Sequence, residues 1–287
     1  MKLCTCKGIR TCSSCNPNKI KIENQNCIVC YFCPKISKIV KENCISDLKC
    51  EEFHKVNIEL NGIILIENFL TEDDKNYLLG GICSNSWVDS QSGRRKQDFG
   101  PKVNFKKRKI NLTKFQGLPE YIERFVNRFS DIPELKDFNP VELCNLEYNP
   151  TRGASIDPHF DDFWLWGERL VTINVQSSTY LTFTPGFPDM FDESSQAFFS
   201  SVCSENHENM GNNCAVSIKV PLPEGSLVIV SGDARHKWMH AVSAADVQST
   251  RIASTLRELS MEFTENDREL SRKLIDLSLT FNGQPVN

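Results

Sequence analysis

His159 and Asp161, separated by Phe160, and a second histidine, His240, are the residues whose types and spacing can do redox chemistry. Residues two apart on a strand point to one face, so His159 and Asp161 can reach one cation while Phe160 turns away. His240, from a distant strand, completes the set. Two imidazoles and one carboxylate on one side of an octahedral ion leave three neighbouring positions open, the arrangement a non-haem Fe(II) oxygenase needs for a chelating cosubstrate and O2. Zinc accepts the same donors, so the three residues need context. The carboxylate of Asp161 occupies the position a halide would need, so hydroxylation is expected and halogenation is not. His236 competes with His240, but four residues away in a non-helical segment it is read as a structural histidine. Asp162 points away from the ligand face, and Asp157 suits a turn before Pro158.

The context comes from Arg251 and Arg257. Six residues is an even step, so both guanidinium groups share one face of a strand, ~20 Å apart at ~3.3 Å per residue. A buried guanidinium needs a partner, and its planar fork fits a carboxylate bidentately. Two inward arginines just after the third metal ligand therefore predict a dicarboxylate ligand, with 2-oxoglutarate the natural candidate.

In this combination, His159-x-Asp161, His240 and Arg251-x5-Arg257, the chain resembles the AlkB family of Fe(II)/2-oxoglutarate dioxygenases. Further stretches carry the resemblance to its fourth animal branch over nearly the whole length: Cys6-Lys-Gly-Ile-Arg-Thr-Cys12, Ser90-Gln-Ser-Gly-Arg-Arg-Lys-Gln97, Phe99-Gly-Pro-Lys-Val-Asn-Phe105, Ile156-Asp-Pro-His159 and Phe163-Trp-Leu-Trp-Gly-Glu-Arg169. The resemblance implies a mainly β fold with flanking helices, a double-stranded β-helix or jelly roll. It implies that Arg251 takes the distal carboxylate of the cosubstrate, with Arg257 nearer the metal. The family's Asn-x-Tyr before the first ligand is altered to Asn145 and Tyr148, one residue further apart, and the resemblance assigns both to the cosubstrate. The implied activity is oxidative removal of N-methyl groups from methylated lysine of a protein, with actin and actomyosin as target. N6-methyladenine in DNA is the second substrate, and cytoplasm and nucleus are the implied locations.

Two further constellations stand outside the metal set. Nine of the 13 cysteines fall between residues 4 and 50, and Cys4, Cys6, Cys12 and Cys15 offer four thiolates at a spacing that suits tetrahedral zinc. Cys27, Cys30 and Cys33 form a second set of the same character. Residues 94–109 hold Arg94, Arg95, Lys96, Lys102, Lys106, Lys107, Arg108 and Lys109 against Asp98 alone, a local charge of +7 in a chain of −4. The segment, with Arg94, Arg95, Lys96 and Lys102 foremost, is expected to meet a polyanion or an acidic protein surface at the lid where AlkB-type enzymes engage substrate. Trp238, Trp164 and Trp166 are candidates for an aromatic wall, with at least two of them expected in the core. A non-enzymatic scaffold that binds partners through the Cys-rich head and the basic segment is the alternative; the complete ligand set argues against it.

The elements that must position these residues follow from pattern. With 40 % apolar and 24 % charged residues the chain can bury a core, and no run of eighteen apolar residues predicts a membrane span. No signal-peptide core is present, so an intracellular protein without disulfides is expected. The composition shift places a boundary near residue 56, with a Cys-rich segment 1–56 and a catalytic domain 57–287. Gly62–Ile66 reads as a strand, and Thr71-Glu-Asp-Asp74 as a capping box opening a helix through Leu79. Pro119 starts a helix with an apolar stripe at Tyr121, Ile122, Phe125, Val126 and Phe129. Strands are expected at Val141–Tyr148, Leu170–Val175, Tyr180–Phe183, Val216–Val220, Ser226–Val230 and Arg251–Leu256. Residues 185–214 read as a long surface insertion beside the site, and Thr264–Leu277 as a closing amphipathic helix.

Overall fold

The apolar runs read from the sequence pair into two sheets that face one another. The computed structural model describes Cys12, Cys15 and residues 28–33, 38–40, 60–204 and 216–286. Among these the strands are β1 (Ile28–Cys33), β2 (Lys38–Val40), β3 (Ile63–Ile66), β4 (Val88–Asp89), β5 (Arg95–Phe99), β6 (Lys102–Asn104), β7 (Lys109–Asn111) and β8 (Glu142–Tyr148). After them come β9 (Ile156–His159), β10 (Trp166–Gln176), β11 (Thr179–Pro185), β12 (Val216–Leu222), β13 (Ser226–Val230), β14 (Trp238–Val242) and β15 (Arg251–Leu259). One sheet has the order β3-β13-β10-β15-β8-β5-β4, the other β2-β1-β12-β11-β14-β9, and β6 pairs with β7 as a separate hairpin. Pairing is antiparallel except between β1 and β12. This is the expected jelly-roll architecture.

Period-two alternation assigns each face. Along β15, Arg251, Ala253, Thr255 and Arg257 line the space between the sheets, while Ile252 and Leu256 belong to the outer core with the helices. β10 repeats this with Leu170 and Thr172 inside and Val171, Ile173 and Val175 outside. β13 is buried on both faces, which explains its unbroken apolar run Leu227-Val-Ile-Val230. The outer core holds Phe125, Phe129, Leu78 and Ile82 at under 2 % exposure. Burying each such side chain fully is worth roughly 1.5–3 kcal/mol, which fixes the helices on the back of the larger sheet.

Those helices start where the polar signals placed them. In α1 (Glu72–Cys83) the Thr71 hydroxyl accepts from the Asp74 amide and the Asp74 carboxylate accepts from the Thr71 amide, a reciprocal box. Asp74 also takes Arg124 and Arg128 from the next helical stretch, which tie the two together. That stretch is a 3₁₀ turn, Glu120–Ile122, followed by α2 (Glu123–Arg128).

The boundary expected near residue 56 lies outside the described residues; within the Cys-rich segment, β1 pairs with Val216–Lys219 of β12 and belongs to the smaller sheet. Cys30 sits in the core with Phe32, where a thiol packs as a small apolar side chain. The insertion 185–214 is not plain loop, since α3 (Glu193–Ser204) lies in it, opened by Asp192, whose carboxylate accepts from the Ser195 amide at 2.7 Å. A short helix, α4 (Gly232–His236), precedes the last two strands, and the closing helix comes in two pieces, α5 (Met261–Asn266) and α6 (Arg268–Ser278). The break is at Asp267, whose side chain caps α6 by accepting from the Leu270 amide. No helix of the described residues is long and apolar enough to cross a membrane.

Thr71→Ala removes one cap of α1 and should cost about 1 kcal/mol, or roughly 2–4 °C of Tm in a domain of this size. Asp74→Ala, which also releases Arg124 and Arg128, should cost more. Thermal unfolding of both variants checks the order.

Candidate metal and cosubstrate site

The three candidate ligands meet because of one register. His159, the last residue of β9, is directly paired with His240 of β14, which sets their ring centroids 4.4 Å apart. Asp161 follows two residues later on the same face, with Oδ1 4.0 Å from His159 Nε2. One donor atom from each residue lies within 4.8 Å of the others, a spacing that can hold one metal ion. Nδ1 of His159 is 2.8 Å from the Asp157 carbonyl, which can only accept, so Nδ1 carries the proton and Nε2 is left as the ligand nitrogen.

The charge states suit a divalent cation. Burial lowers the pKa of both histidines, that of His240 to about 3 with His159 adding to the effect. Burial pushes Asp161 the other way, but Arg257 beside it, with the two histidines, holds the carboxyl well below the usual carboxylate range. Two neutral imidazoles and one ionised carboxylate are the donor set that Fe(II) takes in oxygenases, so the residues fit the metal.

Arg251 stands at the other end of the same cavity, paired in register with Tyr148 of β8. It is 3 % exposed. Its Nε donates to Asn174 Oδ1 at 2.7 Å and its guanidinium lies 5.0 Å from the Tyr148 ring. Asp161 is the one acidic residue on the cavity wall, and it is already held by Arg257. A buried cation with no acidic neighbour calls for an anionic ligand. Between the two ends Thr172 and Thr255 face each other with hydroxyls 3.0 Å apart, and Leu146, Leu181 and Val228 make the wall apolar.

Sequence reasoning missed Asn174. Its amide group donates to the carbonyls of Ser177, Leu222 and Pro223 while its oxygen receives Arg251, so it fixes the β10–β11 turn and the arginine together. An asparagine between the apolar residues Ile173 and Val175 was the available signal.

The other predicted residues separate. Tyr148 lines the cavity as expected. Asn145 does not: three residues from Tyr148 is an odd step, so it faces the helices. There it donates to Gln97 Oε1 and the Tyr121 hydroxyl and accepts from the Ser254 hydroxyl, all at 2.7–2.9 Å. Arg257 reaches the metal end, but its donors are committed to Asp161 and Glu142. Arg94 is buried with its guanidinium 6.0 Å from the Tyr148 ring, at the edge of the site. Arg95, one step on, turns to the outer face and pairs with Glu147, and Lys96 pairs with Asp98. Both side chains are engaged in ion pairs within the fold. Lys102 is exposed at the base of the β6–β7 hairpin, with Lys106, Lys107 and Lys109 beyond it. Trp238 and Trp166 are core residues, as expected of two tryptophans, and His236 pairs with Glu168 away from the metal ligands. Of the thiol set, Cys12 and Cys15 are joined by a turn, the Cys15 amide donating to the Cys12 carbonyl at 3.1 Å. Cys4 and Cys6 lie outside the described residues.

Facing sheets that enclose a His-Asp-His set at one end and a buried arginine at the other define the class of jelly-roll dioxygenases that use a metal and 2-oxoglutarate. Relatives narrow the class. The chain is 38 % identical over 306 aligned positions to the mouse alpha-ketoglutarate-dependent dioxygenase alkB homolog 4, covering 99 % of this chain and 96 % of the relative. It is 36 % identical to the human protein of that name, over 100 % and 96 % of the two chains. A Caenorhabditis elegans DNA N6-methyl adenine demethylase is 36 % identical over 73 % of this chain and 64 % of its own. No family model matches the chain. At this identity and coverage the chain belongs to the AlkB family of Fe(II)/2-oxoglutarate-dependent dioxygenases, and it is an oxidative demethylase.

Asn145→Leu separates its two assignments. It should lower Tm by several degrees, since each buried group left unsatisfied costs roughly 1–3 kcal/mol, and leave the KM for 2-oxoglutarate within about twofold. A large rise in KM with unchanged Tm would return Asn145 to the cosubstrate site.

Proposed function

We propose that His159, Asp161 and His240 hold Fe(II), and that Arg251 with Tyr148 grips the distal carboxylate of 2-oxoglutarate, in an enzyme that removes N-methyl groups from a macromolecule. The observation that carries this reading is the polarity of one cavity, with the metal-binding set at one end and the fully buried, acid-free Arg251 at the other. Iron bound with O2 and 2-oxoglutarate supplies the oxidant that hydroxylates a methyl group. The chain's residues do the positioning. Arg251 and Asn174 fix one end of the cosubstrate, the apolar wall excludes water, and Arg257 holds the Asp161 carboxylate ionised. A hydroxylated N-methyl group then loses formaldehyde.

The methyl carrier we favour is lysine of a protein, with actin and actomyosin as the target that resemblance to the fourth AlkB branch implies. DNA N6-methyladenine is the second reading, favoured by the name of the nematode relative. The exposed basic hairpin from Lys102 to Lys109 suits either an acidic protein surface or phosphates. We place the enzyme in the cytoplasm and nucleus, the compartments that hold both polymers.

Asp161→Ala should abolish 2-oxoglutarate decarboxylation; full turnover by that variant would sink the assignment. Arg251→Ala should raise the KM for 2-oxoglutarate by about tenfold to a hundredfold, the worth of one charge-assisted contact at ~1.5–3 kcal/mol. Formaldehyde release from methyl-lysine peptides, folded methylated protein and N6-methylated DNA ranks the substrates. Release from DNA alone would replace the protein reading.

A further inference from the structure

Arg257 poses a problem for metal binding at Asp161. Its Nε and Nη2 hold both carboxylate oxygens, at 3.1 and 3.2 Å. A carboxylate has lone pairs enough for a bidentate arginine and a metal together. The full positive charge of the guanidinium is the obstacle, because it repels an incoming cation and competes with it for Asp161. The structure contains a counterweight. Arg257 Nη1 donates to Glu142 Oε2 at 2.5 Å from the side away from Asp161, and the two residues are directly paired between β8 and β15. Burial pushes the Glu142 carboxyl above its usual range, Asp98 and Asp161 add to the rise and Arg257 opposes it; Lys96, ion-paired with Asp98, is also within electrostatic reach of Glu142.

The place of Glu142 is prepared by a glycine. A Cβ on Gly100 would lie 2.8 Å from Glu142 Cγ and 3.2 Å from its Cβ. The backbone there is not in the left-handed region, so what Gly100 provides is room for this side chain. That gives a physical reason for the Phe99-Gly100-Pro101 stretch that the metal and cosubstrate assignments leave unexplained.

We propose that Glu142, seated in the space left by Gly100, is a positioning residue that neutralises Arg257 and so keeps the Asp161 carboxylate available to a divalent metal. The proposal rests on His159, Asp161 and His240 being the metal site. With Glu142 ionised, Arg257 and Glu142 together present no net charge to the metal, and Arg257 acts as an orienting clamp on Asp161. With Glu142 neutral, Arg257 becomes an uncompensated cation beside the site. Partners behind a metal ligand commonly change affinity tenfold to a hundredfold, so a loss of about tenfold or more is expected.

The test is anaerobic titration of the whole metal-free chain with Mn(II), with the Tm of each metal-free variant measured alongside. Glu142→Gln keeps shape and acceptor but removes charge, and should weaken Mn(II) binding about tenfold or more with little change in Tm. Glu142→Asp keeps the charge and should restore most of the affinity. Gly100→Ala, which displaces Glu142 without changing any charge, should shift affinity in the same direction by less, and it serves as the deciding variant if Glu142→Gln does not fold. Wild-type affinity in Glu142→Gln, or in a folded Gly100→Ala if that variant must decide, overturns the proposal. Equal losses in Glu142→Gln and Glu142→Asp, matched by lost Tm, overturn it too, since Glu142 would then act through packing. Failure of the wild-type chain to bind Mn(II) would count against the metal site itself.

Discussion

A carboxylate held ionised inside a barrel is the constraint on which the site depends. Asp161 is desolvated between two sheets, where an unpaired charge would be expensive. Arg257 makes its burial tolerable, and Glu142 in turn accompanies Arg257. Each of these residues comes from a different part of the chain, and strand pairing brings them together: β15 carries the arginine, β8 the glutamate, and the segment after β9 the aspartate. The same pairing of β8 with β15 sets Tyr148 opposite Arg251, so the two ends of the cavity are registered by one ladder.

The apolar packing outside that ladder gives it rigidity. β10, β13 and β15 bury alternate residues outward against α1, α2 and their flanking turns, and inward against the cavity. A one-residue slip in any of them would exchange its cavity and core faces, and in β15 it would carry Arg251 and Arg257 out of the site. The buried network of Asn145, Gln97, Tyr121 and Ser254 pins the outer face in register where apolar contacts alone would not. A polar cluster remote from the chemistry thus helps to set the geometry of the cavity.

Much of the site was legible because the relevant periodicity is short. His159 with Asp161 and Arg251 with Arg257 are even steps on strands, and an even step determines a shared face before any fold is known. The α1 cap was legible for a similar reason, since Thr71 and Asp74 satisfy each other locally. Asn145 was carried to the cosubstrate by the family's Asn-x-Tyr pattern, whereas the odd step that separates it from Tyr148 here puts the two on opposite faces. The Cys-rich segment was less legible because cysteine content reads as metal-binding whether the thiols bind a metal or, like Cys30, lie in a core.

By itself the sequence determined which residue types share a face, where helices begin, and that an ionised carboxylate, two imidazoles and two arginines belong to one chemistry. Only the tertiary structure decided that His240 pairs with His159, that Arg95 turns away from the cavity while Arg94 stays near it, that Asn174 holds Arg251, and that Glu142 faces Arg257. The division has a physical cause. Face and cap follow from backbone geometry over two to four residues, whereas partners across sheets depend on register between distant strands, which is set by the packing of the whole core.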